Sequence, residues 1–289
     1  MRPQDPIPAN TRPTLLITGA TGTIGRALVA QLASHAADAQ VIAASPKGQV
    51  LSGMPARALD LLDAASTEAA MHGVDRLFLL TPARPEMAAM TAQAVQAAQA
   101  AGVRHIVRVS GAGADPDSAV AIARLQGQCD QMVIDSGIAY TLLRPKNFMQ
   151  NFTTFLRDMI RAGTVYSSQG EGRVPFIDAR DIAAVAATVL RDPAAHAGHA
   201  YTLTGPEALA TIAQATGRPV TLTAISEAQA IDGMRQAGMP EAMVQAMSSL
   251  NRVIAAGWVA EVTDTVPRLL GRPAARWADF VAEHHSVWL

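Results

Sequence analysis

The sequence predicts an α/β fold: a Rossmann-type doubly wound parallel sheet with a smaller, mostly helical C-terminal substrate lobe. Three observations carry this. Leu15, Leu16 and Ile17 form a short apolar run ending in turn residues, as a buried parallel strand requires. Gly19, Gly22 and Gly25 follow at three-residue spacing, and Ile24, Leu28 and Leu32 then repeat at helical spacing. Beyond them, apolar strand-like runs alternate with helical patterns in units of about 25 to 35 residues, the signature of βαβ units.

The strand–glycine–helix order is the context in which a glycine turn binds a dinucleotide. Without β-carbons the backbone can pass close to a pyrophosphate, and the helix start offers free N–H groups and a positive dipole end. The spacing is GxxGxxG rather than GxGxxG, so the flanking strand and helix carry the reading; a purely structural turn is the alternative. On it Gly19, Thr21, Gly22, Thr23, Ile24 and Gly25 are cofactor-binding candidates.

Further along, Gln40 to Ala44 reads as the second strand and Arg57 to Leu61 as a short third one. Asp63 to Met71 is predicted helical, Asp75 to Thr81 a fourth strand, and Pro85 to Ala101 an alanine-rich helix closed by Gly102. Arg104 to Val109 makes a fifth strand, Ser118 to Ser136 a long helix and Tyr140 to Leu143 a sixth strand. The alternation then loosens. Asn147 to Arg161 is expected as one helix, Gly163 to Gly172 as loop and Arg173 to Ile177 as strand-like. Asp181 to Leu190 returns to an amphipathic helix, Ala200 to Leu203 to a strand, and 205–289 is mostly helical with a β-like Val220 to Ala224. The expected organisation is a tail over 1–13, a dinucleotide domain over 14–146 to which 178–204 returns, and a substrate lobe from 147–177 and 205–289.

Bulk properties exclude several classes. Lys plus Arg total 23 and Asp plus Glu 24 in 289 residues, so nothing electrostatic points to nucleic acid or an anionic membrane. Residues 1–13 are polar and proline-rich and lack the apolar core of a secretion signal. One cysteine, Cys129, excludes an internal disulfide and fits a reducing, cytoplasmic setting. The expected partner is a small-molecule substrate, and the expected assembly a monomer or homodimer.

The end of the second strand reads Ala43-Ala44-Ser45-Pro46-Lys47, with no acid through Gly53. A carboxylate here would accept the ribose hydroxyls of NAD(H). Its absence, with Ser45 and Lys47 as donors, favours NADP(H) over NAD(H), against a plain solvated loop as the alternative. Thr81 and Pro82 end the fourth strand and Ser110 and Gly111 the fifth, so the carboxyl-end rule places both pairs along the cofactor. Lys146 and Asn147 follow the sixth strand and, with Ser110, are the candidates for catalysis; Lys146 is also a cofactor-binding candidate, with a plain surface charge as the alternative, and Phe148 and Asn151 are expected to line the same site, helix packing being the alternative for Phe148. His196-x-x-His199 and His284-His285 lack completing ligands, so no metal is expected. Met234 to Met247 sits at helical spacings and is expected to be core, with a pliable substrate wall as the lesser reading.

Several separated motifs resemble one family. Thr18-Gly-Ala-Thr-Gly-Thr-Ile-Gly25, Ala101-Gly-Val-Arg-His-Ile-Val107, Ser136 through Pro145, Asn147-Phe-Met-Gln-Asn151 and Phe176 through Ala184 are similar to the NmrA-like group of atypical short-chain dehydrogenases. Ala237-Gly-Met-Pro240 and Leu270-Gly-Arg-Pro273 are similar to that group's substrate lobe. The resemblance covers about residues 14 to 285 and is strongest to the branch containing triphenylmethane reductases and NAD(P)H:quinone oxidoreductases. It implies a nicotinamide cofactor and hydride transfer to an electron-poor acceptor such as a quinone, dye, iminium or activated enone. Because the group also holds redox-sensing regulators, an NADP(H)-binding protein without turnover is the alternative. The resemblance adds Asp60 and Leu61 as adenine contacts, with a simple turn cap as the alternative for Asp60. The chain departs from it in lacking an arginine after the second strand and in carrying Gln126 where relatives often have histidine, four residues before Asp130. No tyrosine has a lysine four residues on, so the usual short-chain dehydrogenase proton relay is absent.

Overall fold

The computed structural model describes residues 12–34, 37–206 and 220–289. The expected tail lies mostly outside them. Among the described residues seven strands form one parallel sheet: β1 (Thr14–Ile17), β2 (Gln40–Ser45), β3 (Ala56–Ala58), β4 (Arg76–Leu79), β5 (His105–Val109), β6 (Ala139–Pro145) and β8 (His199–Leu203). Their order is β3-β2-β1-β4-β5-β6-β8, so the winding reverses between β1 and β4. Such a reversal opens a crevice at the strands' carboxyl ends.

Alternating side chains divide the sheet between two cores. On one face α1 (Thr23–Ala33) and α6 (Ala179–Arg191) pack Ile24, Leu28, Val185 and Val189 against Ile17, Val107 and Leu143. On the other, α2 (Ala64–Met71), α3 (Met87–Ala101) and α4 (Ala121–Asp135) bring Ala70, Ala94 and Val133 onto Leu16, Ile106 and Leu142. Cys129 is fully buried in α4. A third cluster joins Met149, Phe152, Ile160, Val165, Trp277, Phe280 and Trp288. It gathers α5 (Arg157–Arg161), the two-stranded parallel sheet of β7 (Thr164–Ser167) and β9 (Thr221–Ala224), and α10 (Trp277–His284). Helices α7 (Glu227–Gln236) and α8 (Glu241–Ala255) pack on each other and α8 also meets α4, whereas α9 (Thr265–Leu270) packs Val266 into the first core beside α6.

Four expectations are corrected. Asn147–Arg161 is not one helix: Phe148 bridges Ile177, a 3-10 turn covers Met149–Phe152, and only Arg157–Arg161 is α-helical. The bridge to Ile177 holds Phe148 extended, with φ −89° and ψ 137°, so no helix can run through it from Asn147. Second, Thr164–Ser167 is a strand rather than loop, because β9 supplies a distant partner, while Arg173 to Ile177 contributes an isolated bridge in place of a strand. Third, β3 is Ala56–Ala58 rather than Arg57 to Leu61, since Asp60 Oδ1 accepts the Leu62 N–H at 3.0 Å and turns the chain. Fourth, Met234, Met239, Met243 and Met247 are half-buried and belong to none of the three clusters.

At the amino end of β5, His105 is buried against the Thr141 hydroxyl, Nε2 to Oγ1 at 3.0 Å. Thr141 gives its own proton to the His196 carbonyl, so His105 donates from Nε2 as the neutral ring. Burial first, then Arg76 and His196, pushes its pKa from 6.5 down to about 4. The unfolded chain therefore takes up a proton below pH 6.5 that the folded one refuses until about pH 4. Stability present above that window is expected to fall by about 2 kcal/mol between pH 7.5 and pH 5. Urea unfolding at the two values measures it, and His105→Gln should flatten the slope.

Candidate active site

Because β1 to β6 run parallel, every candidate that follows a strand lies on one edge of the sheet. In spatial order these are Asp60 and Leu61 after β3, Ser45 and Lys47 after β2, Gly19 to Gly25 after β1, Thr81 and Pro82 after β4, Ser110 and Gly111 after β5, and Lys146 and Asn147 after β6. At about 4.8 Å per strand they form a track of roughly 24 Å.

The glycine turn stands at the reversal. Gly19 has φ +61°, and a β-carbon there would meet the Leu80 side chain at 3.3 Å. At Gly25 a β-carbon would lie 2.2 Å from the Gly19 carbonyl oxygen, so helix and turn touch only because the side chain is missing. Thr18 ties the turn to β4: its hydroxyl accepts the Leu80 N–H at 2.8 Å and donates to the Leu80 carbonyl at 3.2 Å. No side chain caps α1, whose N-cap is Gly22, and no acid occupies its first turn. By contrast, Asp63 caps α2 and Asp178 caps α6. The N-terminus of α1 thus presents backbone donors beside exposed Gly22 and Thr23 and half-buried Thr21, the donor set an anionic pyrophosphate needs. The residues fit the group.

The other candidates differ in how far the fold commits them. Ser45 is buried and its hydroxyl accepts the Gln49 N–H at 3.1 Å, while Lys47 is exposed and makes no ion pair among the described residues. Asp60 is exposed but engaged in its own turn, and Leu61 belongs to the second core. Thr81 is buried, Pro82 exposed and Gly111 half-buried. Lys146 donates Nζ to the carbonyls of Val259 at 2.7 Å and Glu261 at 2.5 Å, clasping the loop between α8 and α9 onto the end of β6. Burial lowers its pKa below the ordinary lysine value, with Glu261 partly offsetting this. Asn147 is half-buried; its carbonyl accepts the Ile177 N–H at 2.9 Å, and its amide makes no hydrogen bond among the described residues. The His196 ring meets the Tyr201 hydroxyl at 2.9 Å and the His284 ring the Phe280 carbonyl at 2.9 Å.

Sequence reasoning named Ser110, Gln126 and Asp130 separately but not the network that joins them at this edge. Ser110 is buried, and its hydroxyl donates to Asp130 Oδ2 at 2.9 Å. The same oxygen receives Arg144 Nε at 3.1 Å and Nη2 at 2.9 Å, while Arg108 bonds Asp130 Oδ1 through Nη1. Arg108 Nη2 continues to Gln126 Oε1 at 2.7 Å. Ser110, Arg108 and Arg144 share the sheet face that α4 covers, and Arg108 and Asp130 are almost wholly buried. One signal was available: Arg108 sits in His-Ile-Val-Arg-Val, a strand otherwise fit for burial, and a buried guanidinium requires a carboxylate.

Two cavities of about 310 and 710 Å³ open elsewhere, at the amino ends of β1, β2 and β4 near Pro13, Asp38 and Arg76. They are lined by residues flanking the undescribed segments, and ligands of such sheets lie at the carboxyl ends. The edge is therefore the better candidate. Among the described residues no three His, Cys, Asp or Glu side chains converge to hold a metal, and no helix is long and apolar enough to cross a membrane.

A family model described as NAD(P)H-binding matches residues 19–193, more than half of the chain. An NAD(P)H azoreductase of Xenophilus azovorans is 40% identical over 283 residues, covering 95% of this chain and 99% of that protein. A (4-alkanoyl-5-oxo-2,5-dihydrofuran-3-yl)methyl phosphate reductase of Streptomyces griseus is 35% identical over 288 residues, covering 95% and 99%. Among solved structures, an NADPH-dependent quinone oxidoreductase of Escherichia coli in complex with NADPH superposes with a TM-score of 0.82 at 28% identity, covering 93% of this chain and 99% of that one. With an uncapped helix start behind a glycine turn and relatives spanning nearly its whole length, the chain belongs to the NAD(P)H-binding family.

Proposed function

We propose that this chain is an NAD(P)H-dependent reductase that passes hydride to a small, electron-poor acceptor, with NADP(H) preferred over NAD(H). The observation that carries the reading is the open N-terminus of α1, set behind Gly19–Gly22 at the point where strand order reverses. Reductases of small acceptors among its relatives support it.

In this reading the backbone of Gly19 to Gly25, with Thr21 and Thr23, holds the pyrophosphate. Asp60, Leu61 and Lys47 flank the adenosine end; Lys47, the exposed cation after β2, favours a 2′-phosphate. Thr81, Pro82 and Gly111 border the nicotinamide end. When bound, the reduced nicotinamide supplies the hydride. Ser110 acts on the site through Asp130, and Lys146 through the loop it clasps, so both position rather than react. The Asn147 amide, without a hydrogen bond among the described residues, is the catalytic candidate left able to touch the acceptor. Residues 147–177 and 220–289 close the acceptor side and exclude water, and orientation supplies most of the rate enhancement. Protonation is completed by water, since the chain has no tyrosine–lysine relay.

Protein-dependent NADPH oxidation, followed at its own absorbance against a quinone, an azo dye and an activated enone, tests this. Turnover with at least one acceptor is expected, faster with NADPH than NADH, and Lys47→Glu should narrow that difference about tenfold. NADPH binding without turnover on any acceptor would replace the reductase by a redox-sensing binding protein.

A further inference from the structure

Gln126 lies one α4 turn before Asp130, and the fold settles which way its amide points. Arg108 is a donor only, so its bond to Gln126 at 2.7 Å must be received by Oε1. The Nε2 group is thereby turned away from the Arg108–Asp130 pair. It makes no hydrogen bond among the described residues and is not among the buried polar atoms lacking a partner. What it meets is the end of β5: a β-carbon at Gly111 would stand 3.6 Å from Gln126 Cγ and 4.0 Å from Nε2. Because Gly111 has no side chain, the amide faces the carboxyl edge uncovered.

We infer that Gln126 hydrogen-bonds the acceptor atom that gains negative charge, and that it selects neutral, conjugated acceptors over cationic ones. This rests on the reductase reading above. Hydride brings two electrons to a quinone or enone carbon, NADPH leaves as NADP+, and charge collects on the acceptor oxygen until water protonates it. An N–H of the amide aimed at that oxygen stabilises it most when the charge is greatest, and Arg108 holds the amide in place at no cost of reorganisation. The amide gives up no proton. A triarylmethane cation behaves oppositely: hydride neutralises it, no anion develops, and the donor contributes nothing.

Gln126→Glu discriminates, because a carboxylate keeps the Arg108 bond, and hence the local fold, while removing both donors. With 1,4-naphthoquinone as acceptor, kcat/KM should fall roughly 10- to 100-fold. With crystal violet it should change less than threefold or rise, and the NADPH dissociation constant should stay unchanged. Gln126→Leu should show the same split with lower thermal stability. Equal losses on both acceptors, no loss on the quinone, or a wild type that reduces only the cationic dye would overturn the inference. A wild type that reduces neither would instead remove the reductase reading, and this inference with it.

Discussion

Gly22→Asp is expected to lose at least about 100-fold in NADPH affinity while folding as well as the wild type. A β-carbon at Gly22 would meet only the Gly19 carbonyl oxygen, at 3.3 Å, and φ there is −79°, open to any residue. Aspartate is moreover a favoured N-cap, and its carboxylate can accept first-turn N–H groups of α1 that no side chain now caps. The fold is therefore kept or stabilised by about 1 kcal/mol. The same carboxylate occupies the donors a pyrophosphate would use and sets like charge against it. Loss of two or more charge-assisted hydrogen bonds at about 1.5–3 kcal/mol each accounts for the magnitude. Titration of NADPH fluorescence and a thermal melt separate the two effects. Unchanged affinity would mean that the turn is structural and that the nucleotide, if bound, lies elsewhere.

Asp130→Ala carries the second large effect, on stability. Its two oxygens collect Arg108, Arg144 and Ser110, and Arg108 has essentially no solvent access. Removing the carboxylate leaves a buried guanidinium with only Gln126 as a partner among the described residues, a loss of about 3–5 kcal/mol. The melting midpoint should drop on the order of 10 °C. Adding Arg108→Met to Asp130→Ala should restore part of that loss, since the uncompensated buried charge is then gone. A single-variant cost below about 1 kcal/mol would show that water or Arg144 relaxes into the gap. Activity should fall with stability, because Ser110 and the end of β5 are held through the same carboxylate.

These two positions differ in how visible they were. Gly22 announced itself, since glycines between an apolar run and an amphipathic helix have a local cause that any reader of the chain can reconstruct. Asp130 did not, because its three partners sit on two strands and a loop brought together only by the sheet order. The fold class, the strands β1 to β6 and the helices between them followed from local periodicity, within a few residues at each end. The stretch from Asn147 to Ile177 did not. Its strand β7 and the Phe148–Ile177 bridge depend on partners far along the chain, and that bridge holds Phe148 extended where apolar spacing suggested a helix.

The sequence alone therefore determined the winding of the sheet and the edge on which chemistry could occur, because both arise from short-range patterns repeated along a parallel fold. Tertiary structure decided what each candidate side chain is free to do. It tethers Lys146 to two carbonyls, binds Ser110 to Asp130, and leaves the Asn147 and Gln126 amide N–H groups without a hydrogen bond among the described residues. The physical reason is that a polar group near a core must be satisfied, and which partner satisfies it is set by packing between elements rather than by neighbours in sequence.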